Sequence, residues 1–403
     1  MRKSILALTL SLLLVPAFGF SEENDNSVKF NEYKKIAPNL YEVTVDNYDY
    51  DYLLKEGACN NSSAPAGCSA LRAGNFLGRN LDFIAGDVPE IIVKTPAKEG
   101  RYASVGMVGA LMWLDGNTIE SNQDEDAKQL IPLALVDGIN EKGLVAELNC
   151  VNAVDVGGLT VKSNPGKKEI SKFCLIRYLL DNAASADEAI ELLKNSDVVV
   201  ARDVLGLAAA NYDLHFLIAD KDKTYVVEFN NTKPDGEKMI VLPNEPIMTN
   251  FYLHLANYTK GSFPAHAEGV ERYRKLVAQK RAIKSVADMK RVMQSIRYSN
   301  SSRQDGVYAP GKDFSNRFTC FSDNSIPDNS EVFYANYKEH IPELLSVMKN
   351  MEIETTNLLK DPKMYNPNSL WVTSHNTVYD IENKTMSVAI YERFNKYYDY
   401  SAK

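Results

Sequence analysis

Apolar and polar residues alternate along much of this chain. "LYEVTV" (residues 40–45) reads as one strand. "SALRAGNFLGRNLDF" (69–83) sets a Gly-Asn turn between two apolar runs and reads as a hairpin. "LHFLIADKDKTYVVEF" (214–229) turns at Asp220 to Lys223, and "NTVYDIENKTMSVAIYERF" (376–394) is a third hairpin near the end. Helical spacing takes over between these blocks. "SKFCLIRYLLDNA" (171–183) is apolar at helical intervals, and "SADEAIELLKNS" (185–196) opens with Ser185 and Glu188 in a capping-box arrangement. Two more helices are expected at about 268–298, the second capped by Ser285, and another at about 340–355. Strand blocks separated by helix pairs, without a βαβ rhythm, indicate an α+β protein with antiparallel sheets covered by helices. No internal repeat or low-complexity linker divides the chain.

The first residues, "MRKSILALTLSLLLVPAFGF", combine a basic start, a short apolar middle and a small-residue end, so residues 1–19 read as a signal peptide. That places the mature protein in the periplasm or outside the cell, with no integral membrane segment after signal removal. Residues 20–67 are polar and tyrosine-rich and end in an Asn, Ser, Ala, Pro and Gly loop, which makes them a leader to a main domain at 68–403.

Composition narrows the chemistry. The chain is 45% hydrophobic and 24% charged, ordinary for a globular protein. Its net charge of -8 argues against nucleic acid and leaves small-molecule partners open. There is no HExxH, no paired CxxC, no phosphate loop and no GxSxG elbow, so neither a metal nor a cofactor is expected. His215 lies inside an apolar strand and reads as a satisfied core residue, while His254, His266, His340 and His375 have no partner at metal spacing.

Five cysteines (Cys59, Cys68, Cys150, Cys174 and Cys320) in an oxidising compartment leave one over. Cys68 follows the small residues "APAG". If the Gly67–Cys68 bond is cut, Cys68 gains an α-amine of pKa about 8 beside a thiol of about 8.5, so nucleophile and base share one residue without a histidine. In "FLGRNLDF" regular alternation puts Arg79 and Leu81 on one face and Asn80 and Asp82 on the other, which opposes a joint approach of Arg79 and Asp82 to Cys68. The competing reading is an exported, non-catalytic binding protein with a Cys59–Cys68 disulfide.

In order, "CSALRAGNFLGRNLDF", "LVDGINEKGLVAELN", "LHFLIADKDKTYVVEF", "IMTN" and "ERYRK" resemble motifs of the choloylglycine hydrolase and penicillin V acylase family of N-terminal nucleophile hydrolases. The resemblance covers about residues 68–274, and the terminal hairpin is similar to the family's closing one. It implies a four-layer αββα sandwich of two antiparallel sheets flanked by helices. It also implies that the strand carrying Arg79 and Asp82 departs from regular geometry. By the same resemblance Cys68 would be the nucleophile, Asp82 would hold its α-amine and Arg79 would stabilise its thiolate. Asn149, with the Cys68 backbone N–H, would form the oxyanion hole, and Asn250 and Arg272 match two further active-site positions. The implied activity is hydrolysis of an N-acyl amide: a conjugated bile salt, penicillin V, an N-acyl homoserine lactone, or an N-acyl lipid or amino acid. The long segment before Cys68 is more like that of acid ceramidase and its relatives, whose N-terminal piece stays bound. Retention of leader 20–67, a homo-oligomer, and the pairing of Cys59, Cys150, Cys174 and Cys320 are left open.

Overall fold

The computed structural model describes residues 33–51, 68–84, 90–109, 131–158, 167–199, 212–257, 260–264, 267, 269–297, 371–391 and 393–403. The segment before Cys68 contributes β1 (Lys34–Ala37) and β2 (Leu40–Thr44). β3 (Cys68–Ala73) and β4 (Phe76–Ile84) form the expected first hairpin, turning at Gly74 with φ 58°. There follow β5 (Glu90–Thr95), β6 (Ser104–Gly109), β7 (Asp137–Asn140) and β8 (Val145–Asn152). β9 (Lys168–Ser171) precedes helices α1 (Leu175–Asn182) and α2 (Ala186–Asn195), and β10 (Ser196–Val199) pairs back onto β9. The second hairpin is β11 (Tyr212–Ala219) with β12 (Thr224–Phe229), followed by β13 (Met239–Pro243) and the two-residue β14 (Ile247–Met248). Helices α3 (Val270–Gln279) and α4 (Val286–Gln294) come next, then β15 (Trp371–Asp380), β16 (Thr385–Ile390) and β17 (Tyr398–Ser401). The helix expected at about 340–355 lies outside the described residues, as do the signal segment, Cys59 and Cys320.

Two caps behave as the sequence requires. Ser285 Oγ accepts from Asp288 N, and Ser185 Oγ accepts from Glu188 N, while the Glu188 carboxylate reaches Ala184 N instead of the cap residue's own N–H.

The strands form a nine-stranded sheet, β1-β2-β5-β6-β7-β8-β11-β12-β13, and a six-stranded sheet, β14-β3-β4-β15-β16-β17. Both are antiparallel apart from one parallel pair, where β2 joins β5. Alternation sorts their faces. On β7, Asp137 points to the six-stranded sheet, where Tyr379 and Arg79 bind it, whereas a Cβ on Gly138 would meet Leu180 of α1. On β4, Arg79 points inward, whereas Asn80 donates to Met293 O of α4 and a Cβ on Gly78 would meet Met289 and Met293. The layers are therefore helix, sheet, sheet, helix. Among the described residues no helix is long and apolar enough to cross a membrane.

Candidate active site

Cys68 begins β3 and is 1% exposed. Its register partner is Leu81, and Ala70 faces Arg79, so Cys68 and Arg79 share the inner face of a regular hairpin. Arg79 Nη2 lies 4.0 Å from Cys68 Sγ and donates to Leu148 O at 2.9 Å. Nη1 donates to Asp137 at 2.7 Å, and Nε lies 3.3 Å from Glu147 Oε2. Two hydrogen-bond acceptors, Asp137 and Leu148 O, and the Glu147 carboxylate beside Nε thus fix one planar guanidinium, which a lysine could not reproduce.

Asp82 stands on the other face of β4, under the helices. Its carboxylate accepts from Thr373 Oγ at 2.6 Å and lies 3.3 Å from Arg272 Nη1. The resemblance implied irregular geometry in this strand; β4 is instead regular against β3, and the irregularity lies in β15. There the register slips between Thr373 and His375, so Thr373 pairs with Asp82 on the outer face and His375 with Leu81 on the inner one. The bulge serves both sides of β4 at once.

The backbone nitrogen of Cys68 does not go to Asp82. It donates to Asn250 Oδ1 at 2.8 Å, and Asn250 Nδ2 is fixed by Cys150 O at 2.8 Å. Arg272, buried on α3, gathers the cluster: Nη1 donates to Cys68 O at 2.5 Å and Ser69 Oγ at 2.7 Å, and Nη2 to Asn250 Oδ1 at 2.7 Å. Gly269 makes room for it, since at φ 71° a Cβ there would lie 2.7 Å from Arg272 Nη2. Arg274, two positions on, lies over the Phe263 ring instead.

Asn149 occupies the inner face of β8, but its Nδ2 donates to Met248 O and Thr249 O, each at 3.3 Å. The carboxamide is buried at the site and holds β14 rather than facing Cys68. All six residues expected from the sequence therefore stand around the start of β3, four on the inner side or at its edge, with Asp82 and Arg272 behind.

Burial favours the neutral thiol and pushes Cys68 up to about 11, against the opposing pull of the Arg79 guanidinium. The same burial raises Glu147 to about 8 despite Arg79. Burial would discharge His375, but Glu90, 2.8 Å from Nδ1, and Asp137, 3.1 Å from Nε2, outweigh it and raise the ring to about 9. Asp137 is held below the usual carboxylate range because Arg79, His375 and Tyr379 overcome its burial. Behind the thiol, then, stands a charged cluster with one carboxylate ionised and one retaining its proton at neutral pH.

Sequence reasoning missed Asp137, Glu147, His375 and Thr373 as parts of this site. Glu147 was within reach, because it lies two positions before Asn149 on one strand face. His375 was not: it meets Arg79 across 296 positions of sequence. The thiol of Cys68 is free among the described residues, and the Cys59 that the binding-protein reading would pair with it lies outside them.

Comparison with known proteins adds a family. The model for linear amide C–N hydrolases of the choloylglycine hydrolase family matches residues 72–395. Among solved structures, a mutant of the conjugated bile acid hydrolase from Clostridium perfringens aligns at 17% identity over 83% of this chain and 92% of its own, with a TM-score of 0.39. The penicillin V acylase from Agrobacterium tumefaciens aligns at 18% identity over 81% of this chain and 83% of its own, with a TM-score of 0.33. No curated protein matches the chain by sequence.

Proposed function

Since the chain belongs to the choloylglycine hydrolase family of linear amide carbon–nitrogen hydrolases, we propose that it works through a cysteine exposed at a new N-terminus by cleavage of the Gly67–Cys68 bond. The observation that carries this reading is the environment of the Cys68 nitrogen. It sits 2.8 Å from Asn250 Oδ1, an acceptor fixed by Arg272 and Cys150 O, while the thiol on the same residue faces Arg79. An amine released there would keep its acceptor and stand beside its own nucleophile.

Cleavage begins with attack of Cys68 Sγ on the Gly67 carbonyl carbon. The C–N bond breaks, the nitrogen takes up the thiol proton, and the resulting thioester is hydrolysed by water to a Gly67 carboxylate and a free Cys68 with its α-amine. In the mature enzyme the amine takes the thiol proton, and the thiolate attacks the substrate carbonyl. The ammonium then protonates the leaving amine, and water activated by the same amine resolves the thioester. Arg79 stabilises the thiolate. Arg272 and Asp82 hold the Cys68 carbonyl and Asn250 from behind. Asn149 supplies the oxyanion donor once its amide turns from the β14 carbonyls. Asn149→Ala should lower kcat by about 100-fold or more while leaving KM little changed, measured on the mature enzyme. An unchanged kcat would remove Asn149 from this role.

The substrate is a small molecule with a linear amide. We assign it to N-acyl amides, with conjugated bile salts, penicillin V, N-acyl homoserine lactones and N-acyl lipids or amino acids as the panel to assay, and we place the enzyme in the periplasm or outside the cell. Purified exported protein, sequenced from its N-terminus and weighed intact under denaturing conditions, should contain a main chain that begins at Cys68. An uncleaved chain running from near Phe20 through Cys68 that hydrolyses amides would overturn the maturation step. Cys68→Ala should neither mature nor hydrolyse any member of the panel.

A further inference from the structure

Asn250 is held in an unusual place. It follows β14, a strand of only two residues at the sheet edge, and the chain beyond it turns into a single 3-10 turn at Leu253–Leu255. A reacting amine requires Thr249 to His254 to be held closely, and long-range contacts add to that short turn.

Glu228 does this from the neighbouring sheet. It is fully buried on β12, yet its carboxylate accepts four hydrogen bonds. Leu253 N donates to Oε1 at 2.7 Å and His254 N to Oε2 at 3.0 Å, so two consecutive amides just after Asn250 are pinned to one side chain. His254 Nδ1 donates to Oε2 at 2.7 Å, and its Nε2 accepts from Asn230 Nδ2 at 2.9 Å. His215 Nδ1 lies 3.2 Å from Oε1, and its Nε2 donates to Thr249 O at 2.9 Å. Both His215 nitrogens thus face oxygen atoms, one on Glu228 and one on Thr249. Glu228 therefore grips the chain on both sides of Asn250, directly at 253 and 254 and through His215 at 249. Burial would raise its carboxyl, but the two histidines outweigh that and hold it at about 2. A buried ionised group with three of its four donors supplied by one turn is a costly way to fill a core, where an apolar residue of similar size would serve.

We infer that Glu228, acting with His215 and His254, is a positioning residue that sets Asn250 against the Cys68 nitrogen. The inference rests on the proposed role of Asn250 as acceptor for the Cys68 amine. Glu228→Gln keeps the size of the side chain but presents an N–H to a site filled with donors. The mature variant should lose about 100-fold in kcat with KM little changed, when kcat is expressed per Cys68 thiol titrated by alkylation. A merely structural Glu228 would lower the melting temperature and the number of titratable sites but leave kcat per site alone. His254 is partly exposed, so His254→Ala removes one donor at less risk to folding and should give a smaller loss of the same kind. Wild-type kcat per site in both variants, or in His254→Ala alone if Glu228→Gln does not fold, overturns the inference. Hydrolysis surviving in Cys68→Ala would instead overturn the nucleophile reading, and the two failures are distinct.

Discussion

At neutral pH a thiol held near 11 by burial is almost entirely protonated, with roughly one part in ten thousand as thiolate. For Cys68 in the uncleaved chain this sets the pace of maturation. The rate of Gly67–Cys68 cleavage should rise about tenfold per pH unit between pH 7 and 10, since only the thiolate attacks. Intact mass followed in time at each pH measures it, and a rate flat across that range would mean that another group activates the sulfur. Once cleavage has placed an ammonium beside the thiol, alkylation of Cys68 at pH 7 should be much faster than in the precursor. Residue types made part of this legible beforehand: a cysteine behind small residues, with an arginine and an aspartate in the hairpin that follows. What residue identity could not give was direction. Asn149 spends its amide on β14, and the Cys68 nitrogen goes to Asn250 rather than Asp82, because both outcomes depend on where β14 and α3 come to rest.

Between the two faces of β4 the deciding element is the slip in β15. Without it Thr373 and His375 would lie on one face, and either Asp82 or Arg79 would lose its partner. Deleting Ser374 removes the extra residue and still leaves Thr373 opposite Asp82 and His375 opposite Leu81, so this variant should mature and melt close to the parent, whereas inserting one alanine after Ser374 moves Thr373 or His375 off its partner and should abolish maturation and lower the melting temperature. Equal effects of the two variants on intact mass and thermal unfolding would show that this register is dispensable. The strands before Cys68 act at the same scale. Leu40, Tyr41 and Val43 are buried, β2 pairs with β5, and Arg177 of α1 lies over Tyr48, whose hydroxyl bonds Asp181 at 2.5 Å. We expect leader 20–67 to stay bound after cleavage, co-migrating with the 68–403 chain on a sizing column and separating only in denaturant. Val43→Asp should release it. The hairpins and helix starts were legible because alternation, a Gly-Asn turn and serine caps act within a few residues. The slip in β15 was not, because nothing local in "TSHNT" marks it.

Across the molecule the polar seam between the sheets sets the pH range of stability. Glu147 is raised from 4.5 to about 8, so the unfolded chain releases this proton first and stability falls as pH rises from about 4.5 to 8. His375, raised from 6.5 to about 9, contributes fully below 6.5 and loses its contribution as pH rises through 9. Glu228, lowered from 4.5 to about 2, contributes above 4.5 and loses its contribution as pH falls towards 2. The melting temperature should therefore be highest near pH 4.5 and decline on both sides, more steeply above pH 6.5, where His375 adds to Glu147. Glu147→Gln, neutral at every pH, should flatten the alkaline decline, and a melting curve still falling as steeply from pH 5 to 8 would assign that decline to other groups. By itself the sequence determined the α+β class, the hairpins, the helix caps and the family motifs around Cys68, because periodicity, turn chemistry and short motifs are properties of neighbouring residues. Only the tertiary structure decided which groups share a face with the thiol and what state they are in. Arg79, Asp137, Glu147 and His375 meet, and their charges are set, in the dry space between two sheets that neighbouring residues alone do not define.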